Sequence, residues 1–435
     1  MENKIPVIKN VDDLATSQLR EDALSILEVG YESILTDRLI RSKISIKDNS
    51  ICFAEHKICL DNYKNIYFIA IGKCAVDSAI VFEDLLGDKI TSGVVLDVKK
   101  GDFKNMISEE GTHPFPSGIN VAVTKSIVDI LKQADKNDLV ITLISGGGSS
   151  LMCLPYKMTW EEQKEISDQL MNKGATITEL NTVRKHTSMI KGGQFAKLVY
   201  PATVVSFLLS DVPGDDLSVI ASGPTVMDKT TEKDALNILK KYGMDNLKID
   251  LIETPKKGKY FENITNILLG SNQVALEEMK KRAEELGYDT YIEDTKLEGE
   301  ARILGQKFVS VGYSPKSCHL WGGETTVKVL GKGEGGRNQE FVLGALPHIP
   351  YNTVVAACAS DGWDNSDVAG AIADMGLYDK SLDIGLDTLL FLDNNDAYNF
   401  FKQSGGHIKT ERTGSNVADF YLVIKGVEEA ILEEE

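Results

Sequence analysis

The sequence predicts an α/β protein with a doubly wound, mostly parallel, Rossmann-like N-terminal domain and a smaller mixed α/β C-terminal domain. Short runs of branched apolar residues, such as Ile66–Ile71 and Leu139–Ile144, are typical of parallel strands buried on both faces. Segments with helical periodicity separate these runs, which is the alternation expected of a doubly wound sheet. Glycine-, serine- and acid-rich stretches follow several runs and mark the carboxyl edge, where open α/β sheets bind ligands.

Length and composition indicate an ordinary globular protein. The chain has 435 residues, 42% hydrophobic and 26% charged, which suits two domains or one large domain with an insertion. No stretch approaches the ~18 consecutive apolar residues of a membrane span, and no secretory signal is visible, so we expect a cytoplasmic protein. The net charge of −18 argues against nucleic acid as a partner. Neither the six cysteines nor the six histidines have metal-ligand spacing. The scattered cysteines indicate reduced thiols.

The N-terminal domain is predicted over residues 1–255. Helical periodicity extends over residues 12–39, and a hairpin is expected within 44–60. A capping box at Thr159–Glu162 begins a helix that ends at Gly174. The remaining predicted elements are strands at 66–71, 93–98, 139–144 and 202–209, and helices at 75–86, 120–132 and 179–191.

The C-terminal domain is predicted over residues 256–435, after the linker-like segment Thr254–Lys259. A strand at 264–269, a helix at 274–286 and a strand at 289–293 open it, and a strand–turn–strand with Glu324 at the bend follows. Residues 331–336 match the dinucleotide fingerprint G-x-G-x-x-G, but the hairpin expected before them counts against a dinucleotide site. The acids that follow strand 354–359 either cap turns and the following helix or hold a metal. They are Asp361, Asp364 and Asp367.

The strand at 139–144 ends in three glycines flanked by serines. Glycine lets successive backbone N–H groups turn towards one point, and serine hydroxyls add donors, which together suit a phosphate or carboxylate. A plain turn between strand and helix is the alternative, although such turns rarely need three consecutive glycines. The predicted anion-binding loop consists of Ser145, Gly146, Gly147, Gly148, Ser149 and Ser150.

Cationic and imidazole side chains are predicted near the same edge. Lys73 lies at a strand-to-helix junction, where it would project over the sheet, unless it is a solvated surface lysine. His113, in a Gly/Pro-rich loop, either orients a ligand or is satisfied by backbone. Arg184 and Lys191 fall on one face of the helix predicted at 179–191, together with Asn181 and Ser188. That face either points at phosphate or is solvated.

Acidic side chains complete the candidate set. Asp211 comes directly after the strand at 202–209, a position that suits Mg²⁺, which favours one or two carboxylates together with substrate oxygens. Glu324 and Asp361 are the other metal candidates, and one of the three acids is an alternative acceptor for a substrate proton.

Ten short motifs in order resemble one known family. The resemblance is to the class of glycerate kinases built from an N-terminal glycerate-kinase domain and a C-terminal MOFRL-type domain, and it covers nearly the whole chain. The motifs are Gly72–Lys73, Gly111–Pro116, Ser145–Ser150, Asn181–Lys185 with Lys191–Gly193, Ser210–Gly214, Ser222–Thr225, Gly322–Thr325, Gly335–Glu340, Asp361–Gly362 and Thr413–Asn416.

The resemblance implies ATP- and Mg²⁺-dependent (or other divalent cation-dependent) phosphorylation of D-glycerate, at the 2-hydroxyl in archaeal members. It also implies an active site in a cleft between the two domains, with the family's lysine and arginine at Lys73 and Arg337. Trp363 stands where the family commonly has a smaller residue.

The hypothesis from the sequence is therefore a small-molecule kinase acting on D-glycerate. The glycine–serine loop would hold the triphosphate, while Lys73, Lys191 and Arg337 would offset its charge. Either Arg337 or Arg184 would bind the glycerate carboxylate. The alternatives are an NAD(P)-dependent hydroxypyruvate/glycerate reductase, a glycerate 3-kinase and a non-catalytic anion-binding module. The oligomeric state stays open, a homodimer being one option.

Overall fold

The computed structural model describes residues 5–212, 214–244 and 247–427. Backbone contacts divide the chain into two compact units: Thr36–Gly270, and Met1–Leu35 together with Ser271–Glu435. We call them the central unit and the terminal unit. No helix among the described residues is long and apolar enough to cross a membrane.

The terminal unit begins with two helices, α1 (Val11–Leu14) and α2 (Gln18–Ile34). The elements of the central unit are α3 (Thr36–Lys43), β1 (Ile44–Lys47), β2 (Ser50–Phe53), β3 (His56–Cys59), β4 (Asn65–Ile71), α4 (Ala75–Leu86), β5 (Ser92–Asp97), β6 (Met106–Glu110), α5 (Gly118–Gln133), β7 (Asp138–Ile144), α6 (Gly148–Leu151), α7 (Trp160–Asn172), α8 (Ile177–His186), α9 (Gln194–Val199), β8 (Thr203–Leu209), α10 (Glu232–Lys241) and β9 (Ile264–Gly270).

The terminal unit continues after Gly270. Its further elements are α11 (Asn272–Glu285), β10 (Asp289–Leu297), α12 (Ala301–Val309), β11 (Ser317–Gly323), α13 (Arg337–Ala345), β12 (Thr353–Ala359), β13 (Gly370–Asp374), α14 (Met375–Asp383), α15 (Thr388–Asp393), α16 (Ala397–Ser404), β14 (His407–Ile408) and β15 (Asp419–Lys425).

The main sheet of the central unit is parallel throughout, in the order β6-β5-β4-β7-β8-β9. Counted along the sheet, this is the 3-2-1-4-5-6 order of a doubly wound fold, with the topological switch point between β4 and β7. All residues of β7 are buried, as expected for a continuous apolar strand covered on both faces. The predicted Rossmann-like architecture is confirmed, and the loops after β4 and β7 meet at the switch point.

Several local predictions need correction. The stretch at 44–60 forms a three-stranded antiparallel sheet, β1-β2-β3, rather than a hairpin. The predicted helix at 12–39 is three helices, because the chain leaves helical geometry between Leu14 and Gln18 and again at Leu35. Strand β6 was not predicted, because its sequence Met-Ile-Ser-Glu-Glu is too polar to stand out as a buried run.

The terminal unit has a mixed sheet in the order β10-β11-β15-β12-β13-β14, in which only β10 and β11 pair in parallel. One face packs against α2 and α11, and the opposite face packs against α12, α13 and α16. The mixed α/β character predicted for the C-terminal part is confirmed.

The division into units departs from the boundary drawn at residue 255 in two places. Helix α2 contributes Leu24, Leu27 and Tyr31 to the core of the terminal unit. Strand β9, predicted to open the second domain, instead pairs in parallel with β8 at the edge of the central sheet. The linker-like composition of the loop before β9 predicts a boundary there. The hydrogen bonds between β8 and β9 instead place the boundary after β9.

The strand–turn–strand expected around Glu324 is not formed. Strand β11 ends at Gly323, and up to α13 the described chain has only an isolated bridge between Thr326 and Glu300. This segment is rich in glycine and charge, so little apolar surface would be buried by a second strand.

Candidate active site

Two backbone turns lie side by side at the switch point of the central sheet. The N–H of Ser145 donates to the Ile71 carbonyl (2.9 Å), and the N–H of Lys73 donates to the Gly146 carbonyl (2.9 Å). Gly72 has φ +123°, and a Cβ there would lie 2.1 Å from Ser145 Oγ. Only glycine allows the turn after β4 to approach the turn after β7 so closely.

Three of the predicted site residues converge on the glycines of the Ser145–Ser150 loop. A Cβ on Gly147 would lie 3.1 Å from His113 Cδ2 and 3.3 Å from Lys73 Cγ. A Cβ on Gly146 would lie 2.4 Å from Asp211 Oδ2. Gly146 and Gly147 therefore leave room for a lysine, an imidazole and a carboxylate to pack against one stretch of backbone.

His113 is neutral at physiological pH. Burial, assisted by the nearby charge of Lys73, lowers the pKa of its imidazole to about 4. A neutral ring can donate or accept one hydrogen bond at a ligand without adding positive charge. The position of His113 against Gly147 is therefore compatible with the prediction that it orients a ligand.

The serines of the loop tie it to neighbouring segments. Ser150 Oγ donates to the Pro114 carbonyl (2.7 Å), and Ser149 Oγ shares a hydrogen bond with Ser222 Oγ (3.1 Å). Asn120, fully buried, donates to the Ser150 carbonyl (3.1 Å) and to the Thr112 carbonyl (3.0 Å). The loop is thus held from both sides by side-chain hydrogen bonds.

Lys191 reaches the same loop, but not from a helix. Helix α8 ends at His186, and the predicted helix at 179–191 is too long. The hydroxyl of Ser188 accepts from the N–H groups of Ile190 and Lys191 (3.3 Å each), a local turn that competes with helix continuation. Lys191 Nζ then donates to the Ser149 carbonyl at 2.6 Å.

A cavity of about 320 Å³ lies beside the loop, and we call it the Arg184 cavity. Its floor includes Ser149 and Ser150, and Phe115 and Met171 form apolar wall. Its charged lining consists of Lys164, Asp168, Arg184 and Lys191. The structure therefore brings Arg184 and Lys191 together as predicted, although α8 and a turn, not one helix face, supply them.

Burial weakens the hold of Lys191 on its proton. Its side chain is 3% exposed, and burial, together with the charge of Arg184, lowers its pKa to about 8. Burial also lowers the pKa of Arg184, opposed by the charge of Asp168. Both side chains are cationic at neutral pH, and each faces the cavity.

The terminal unit places Arg337 at the first position of α13. Its Nε and Nη2 bind the two carboxylate oxygens of Asp419, and Nη2 also lies 3.1 Å from Glu324 Oε1. Burial opposes ionisation of Arg337, but the hydrogen bonds and charge of Asp419 outweigh it and raise the pKa of the guanidinium. The guanidinium fork is therefore occupied by carboxylates of its own unit.

Two family models match the chain. The domain of unknown function DUF4147 matches residues 22–253, and the MOFRL family matches residues 317–419. The D-glycerate 2-kinase of Thermotoga maritima is 36% identical over 425 residues, which cover 93% of this chain and 98% of that protein. This chain belongs to the MOFRL glycerate kinase family.

Two further comparisons are with a solved glycerate kinase structure and with a relative that carries a reductase name. The crystal structure of glycerate kinase from Thermotoga maritima matches with a TM-score of 0.85 and 34% identity, covering 93% of this chain and 99% of that chain. A putative hydroxypyruvate reductase of Agrobacterium vitis is 37% identical over 338 residues, covering 73% of this chain and 77% of that protein.

The glycine fingerprint at 331–336 has a packing role in this member of the family. A Cβ on Gly331 would lie 2.2 Å from the Asn394 carbonyl oxygen, and one on Gly333 would lie 2.4 Å from Asp396 Cβ. The preceding strand β11 and the following strand β12 do not pair with each other, because the antiparallel strand β15 lies between them, so the segment is not the first turn of a βαβ unit of paired strands. The glycines allow a loop to pack against the α15–α16 connection.

Two of the acids after β12 accept hydrogen bonds from backbone N–H groups. Asp364 is buried, and its carboxylate accepts from the N–H groups of Asn338 (3.0 Å) and Gln339 (2.9 Å), which caps α13. Asp361 accepts from the Trp363 N–H within a turn (3.0 Å). Asp364 therefore caps a helix, but it caps α13, which precedes it in the chain, and not the following helix as predicted. It thereby orients the helix that carries Arg337.

The three metal candidates do not form a cluster. Among the described residues, no group of three or more His, Cys, Asp or Glu side chains is arranged to hold a metal ion. Glu324 pairs with Arg337, whereas Asp211 lies against the glycine loop of the central unit. Since Mg²⁺ bound with a nucleotide needs only one or two carboxylates, Asp211 beside the predicted anion-binding loop fits that ion better than the other two candidates.

Two residues that position candidate side chains, one in each unit, were not predicted from the sequence. Asp419 begins β15 and holds Arg337, and Asn120 joins the loops at 112 and 150. A polar residue opening an apolar run was the available signal for Asp419. Asn120 gave no sequence signal beyond its place in the first turn of a helix.

Proposed function

We propose that this chain is a glycerate kinase that transfers the γ-phosphoryl group of ATP to the 2-hydroxyl of D-glycerate. The observation that carries the proposal is the convergence of Lys73, His113 and Asp211 on the Gly146–Gly147 backbone at a sheet switch point. The named activity of the Thermotoga maritima relative, D-glycerate 2-kinase, supports both the substrate and the position of phosphorylation.

The reaction makes limited demands on the protein. The 2-hydroxyl oxygen of glycerate forms a bond to the γ-phosphorus while the bond to the β–γ bridging oxygen breaks, ADP leaves and the hydroxyl proton is released. Phosphoryl transfer then depends on positioning and on neutralising the charge of the transferred group. The chain's backbone N–H groups and cations at the switch point provide both.

Each group at the switch point has a proposed role. The N–H groups of Ser145, Gly148 and Ser150 donate to backbone carbonyls, so the other N–H groups of the loop are proposed to hold phosphate oxygens. Lys73 neutralises charge on the transferred group. His113 donates or accepts one hydrogen bond as a neutral ring. Asp211 would hold Mg²⁺ together with nucleotide oxygens, and that ion supplies further charge neutralisation when bound. Arg337 belongs to the terminal unit, where Asp419 binds its guanidinium. Its proposed contribution is therefore positive charge, and not a bidentate contact with the substrate.

The reductase alternative finds no support in the fold. The glycine segment that suggested a dinucleotide site packs against the α15–α16 connection, and the strands on either side of it, β11 and β12, do not pair with each other. A glycerate 3-kinase differs only in the hydroxyl that attacks, so product analysis separates it from the proposal.

The role of Lys73 is tested by Lys73→Met, which removes the charge but keeps most of the apolar stem. We expect kcat to fall roughly 10²- to 10³-fold, the usual loss of one transition-state donor, with little change in melting temperature. Lys64→Met is the matched control, because Lys64 is exposed at the opposite, amino end of the same strand. An unchanged kcat in Lys73→Met would reject the site.

A further inference from the structure

Among the described residues, the Arg184 cavity contains two cations, Arg184 and Lys191, that form no ion pair with a carboxylate. Lys164 and Asp168 pair with each other, so their charges cancel. The Arg184 side chain makes no hydrogen bond or ion pair with any residue that the structure describes, and Lys191 donates only to a backbone carbonyl. The buried Lys191 and the half-buried Arg184 repel each other, and a bound anion would relieve that repulsion.

The size of the cavity favours a small anion. Its volume of about 320 Å³ lies at the lower end of the range for small-molecule pockets, which suits a three-carbon acid better than a nucleoside triphosphate. Phe115 and Met171 supply apolar wall for carbon atoms, and Ser149 and Ser167 supply polar atoms for hydroxyl groups.

The two candidate arginines differ in what already occupies them. The guanidinium of Arg337 binds both oxygens of Asp419 and lies beside Glu324. The guanidinium of Arg184 is unpaired, and its planar fork matches the two oxygens of a carboxylate. The sequence left open which arginine binds the carboxylate, and this geometry favours Arg184.

We propose that the Arg184 cavity is the acceptor site, in which Arg184 binds the carboxylate of D-glycerate through two parallel hydrogen bonds and Lys191 supplies a second positive charge. The inference rests on the proposed function for the identity of the acid. The cavity adjoins Ser149 and Ser150, so an acid bound there lies next to the loop that holds the phosphoryl donor.

The test combines Arg184→Gln with two substrates, D-glycerate and D-glyceramide, in which an uncharged amide replaces the carboxylate. Loss of a charge-assisted bidentate contact predicts about a 10- to 100-fold fall in kcat/KM for D-glycerate. Activity on D-glyceramide and KM for ATP stay unchanged, so the preference for the acid collapses. Lys197→Gln, at an exposed lysine on the neighbouring α9, is the control for loss of one positive charge.

Binding is measured separately from turnover, by calorimetry of D-glycerate with the wild-type protein and Arg184→Gln. If wild-type protein binds D-glycerate through Arg184 without phosphorylating it, the proposed function fails and the cavity assignment stands. If wild-type protein phosphorylates D-glycerate and Arg184→Gln is unaffected, the cavity assignment fails and the function stands. A rise in KM for ATP alone would assign the cavity to the nucleotide and overturn the inference.

Discussion

At the scale of single residues, sequence reasoning located side chains that follow a parallel strand. Lys73 and Asp211 were predicted at the sheet edge because the carboxyl ends of parallel strands share that edge, and both contact the glycine loop. Lys191 lies near Arg184, as the sequence predicts, but a turn at Ser188 and not a continuous helix brings it there. Asp419 was missed because its partner, Arg337, is 82 residues away in the chain.

The lowered pKa of Lys191 predicts an alkaline limb in the pH profile. The group is charged below pH 8 and loses its proton above it, so kcat/KM for D-glycerate should fall as the pH rises through about 8. Arginine keeps its charge at these pH values, so Lys191→Arg should abolish the limb while retaining activity below pH 8. A limb that persists in a folded Lys191→Arg protein would contradict the assignment.

The same shift has the opposite sign for stability. The folded pKa of Lys191, about 8, lies below its ordinary value of 10.5, so the unfolded chain binds more protons between these pH values. The contribution of this group to the free energy of unfolding therefore rises with pH across that window, while activity falls. Denaturant titrations of the wild-type protein and Lys191→Met at pH 7 and pH 10 check the sign, because the variant lacks this increment.

At the scale of elements, regular periodicity was predictable and irregular connections were not. Strand β7 and helix α7 were recognised from a continuous apolar run and a capping box, and the structure contains both. The segment at 324–336 was misassigned, because the long-range contacts of Gly331 and Gly333 with the α15–α16 connection determine its path. Glycine spacing alone does not distinguish a phosphate-binding turn from close packing of two loops.

Two glycines with nearly equal φ angles allow an effect on catalysis to be distinguished from an effect of backbone strain. Gly147 has φ +82° and Gly174 has φ +80°, so alanine at either position should cost about 1–2 kcal/mol of backbone strain. A Cβ on Gly174 meets nothing within 4 Å, whereas one on Gly147 meets His113 and Lys73.

We therefore expect both alanine variants to lose similar stability, while only Gly147→Ala loses at least about tenfold in kcat/KM, because small misplacements at a reacting centre are costly. Thermal unfolding and steady-state kinetics measure the two effects. Equal kinetic losses in both variants, or none in Gly147→Ala, would show that the loop does not position the reaction.

At the scale of the whole molecule, the fold class and family followed from the order of motifs, but the division into units did not. Helix α2 is amphipathic like many others, and nothing in its own sequence shows that its apolar face packs in the core formed with α11 and the sheet of residues 271–427. Strand β9 was separated from its sheet because a linker-like segment precedes it. In both cases the prediction failed to identify the distant segment against which an element packs or pairs. Local periodicity does not contain that information.

The central claim is that this chain phosphorylates D-glycerate at the 2-hydroxyl. The most direct measurement is ³¹P NMR of the products formed by wild-type protein from ATP, Mg²⁺ and D-glycerate, with hydroxypyruvate and NADH as a parallel reaction. We predict ADP and 2-phosphoglycerate in equal amounts, and no NADH oxidation. Formation of 3-phosphoglycerate alone, or NADH oxidation without ATP consumption, would contradict the claim.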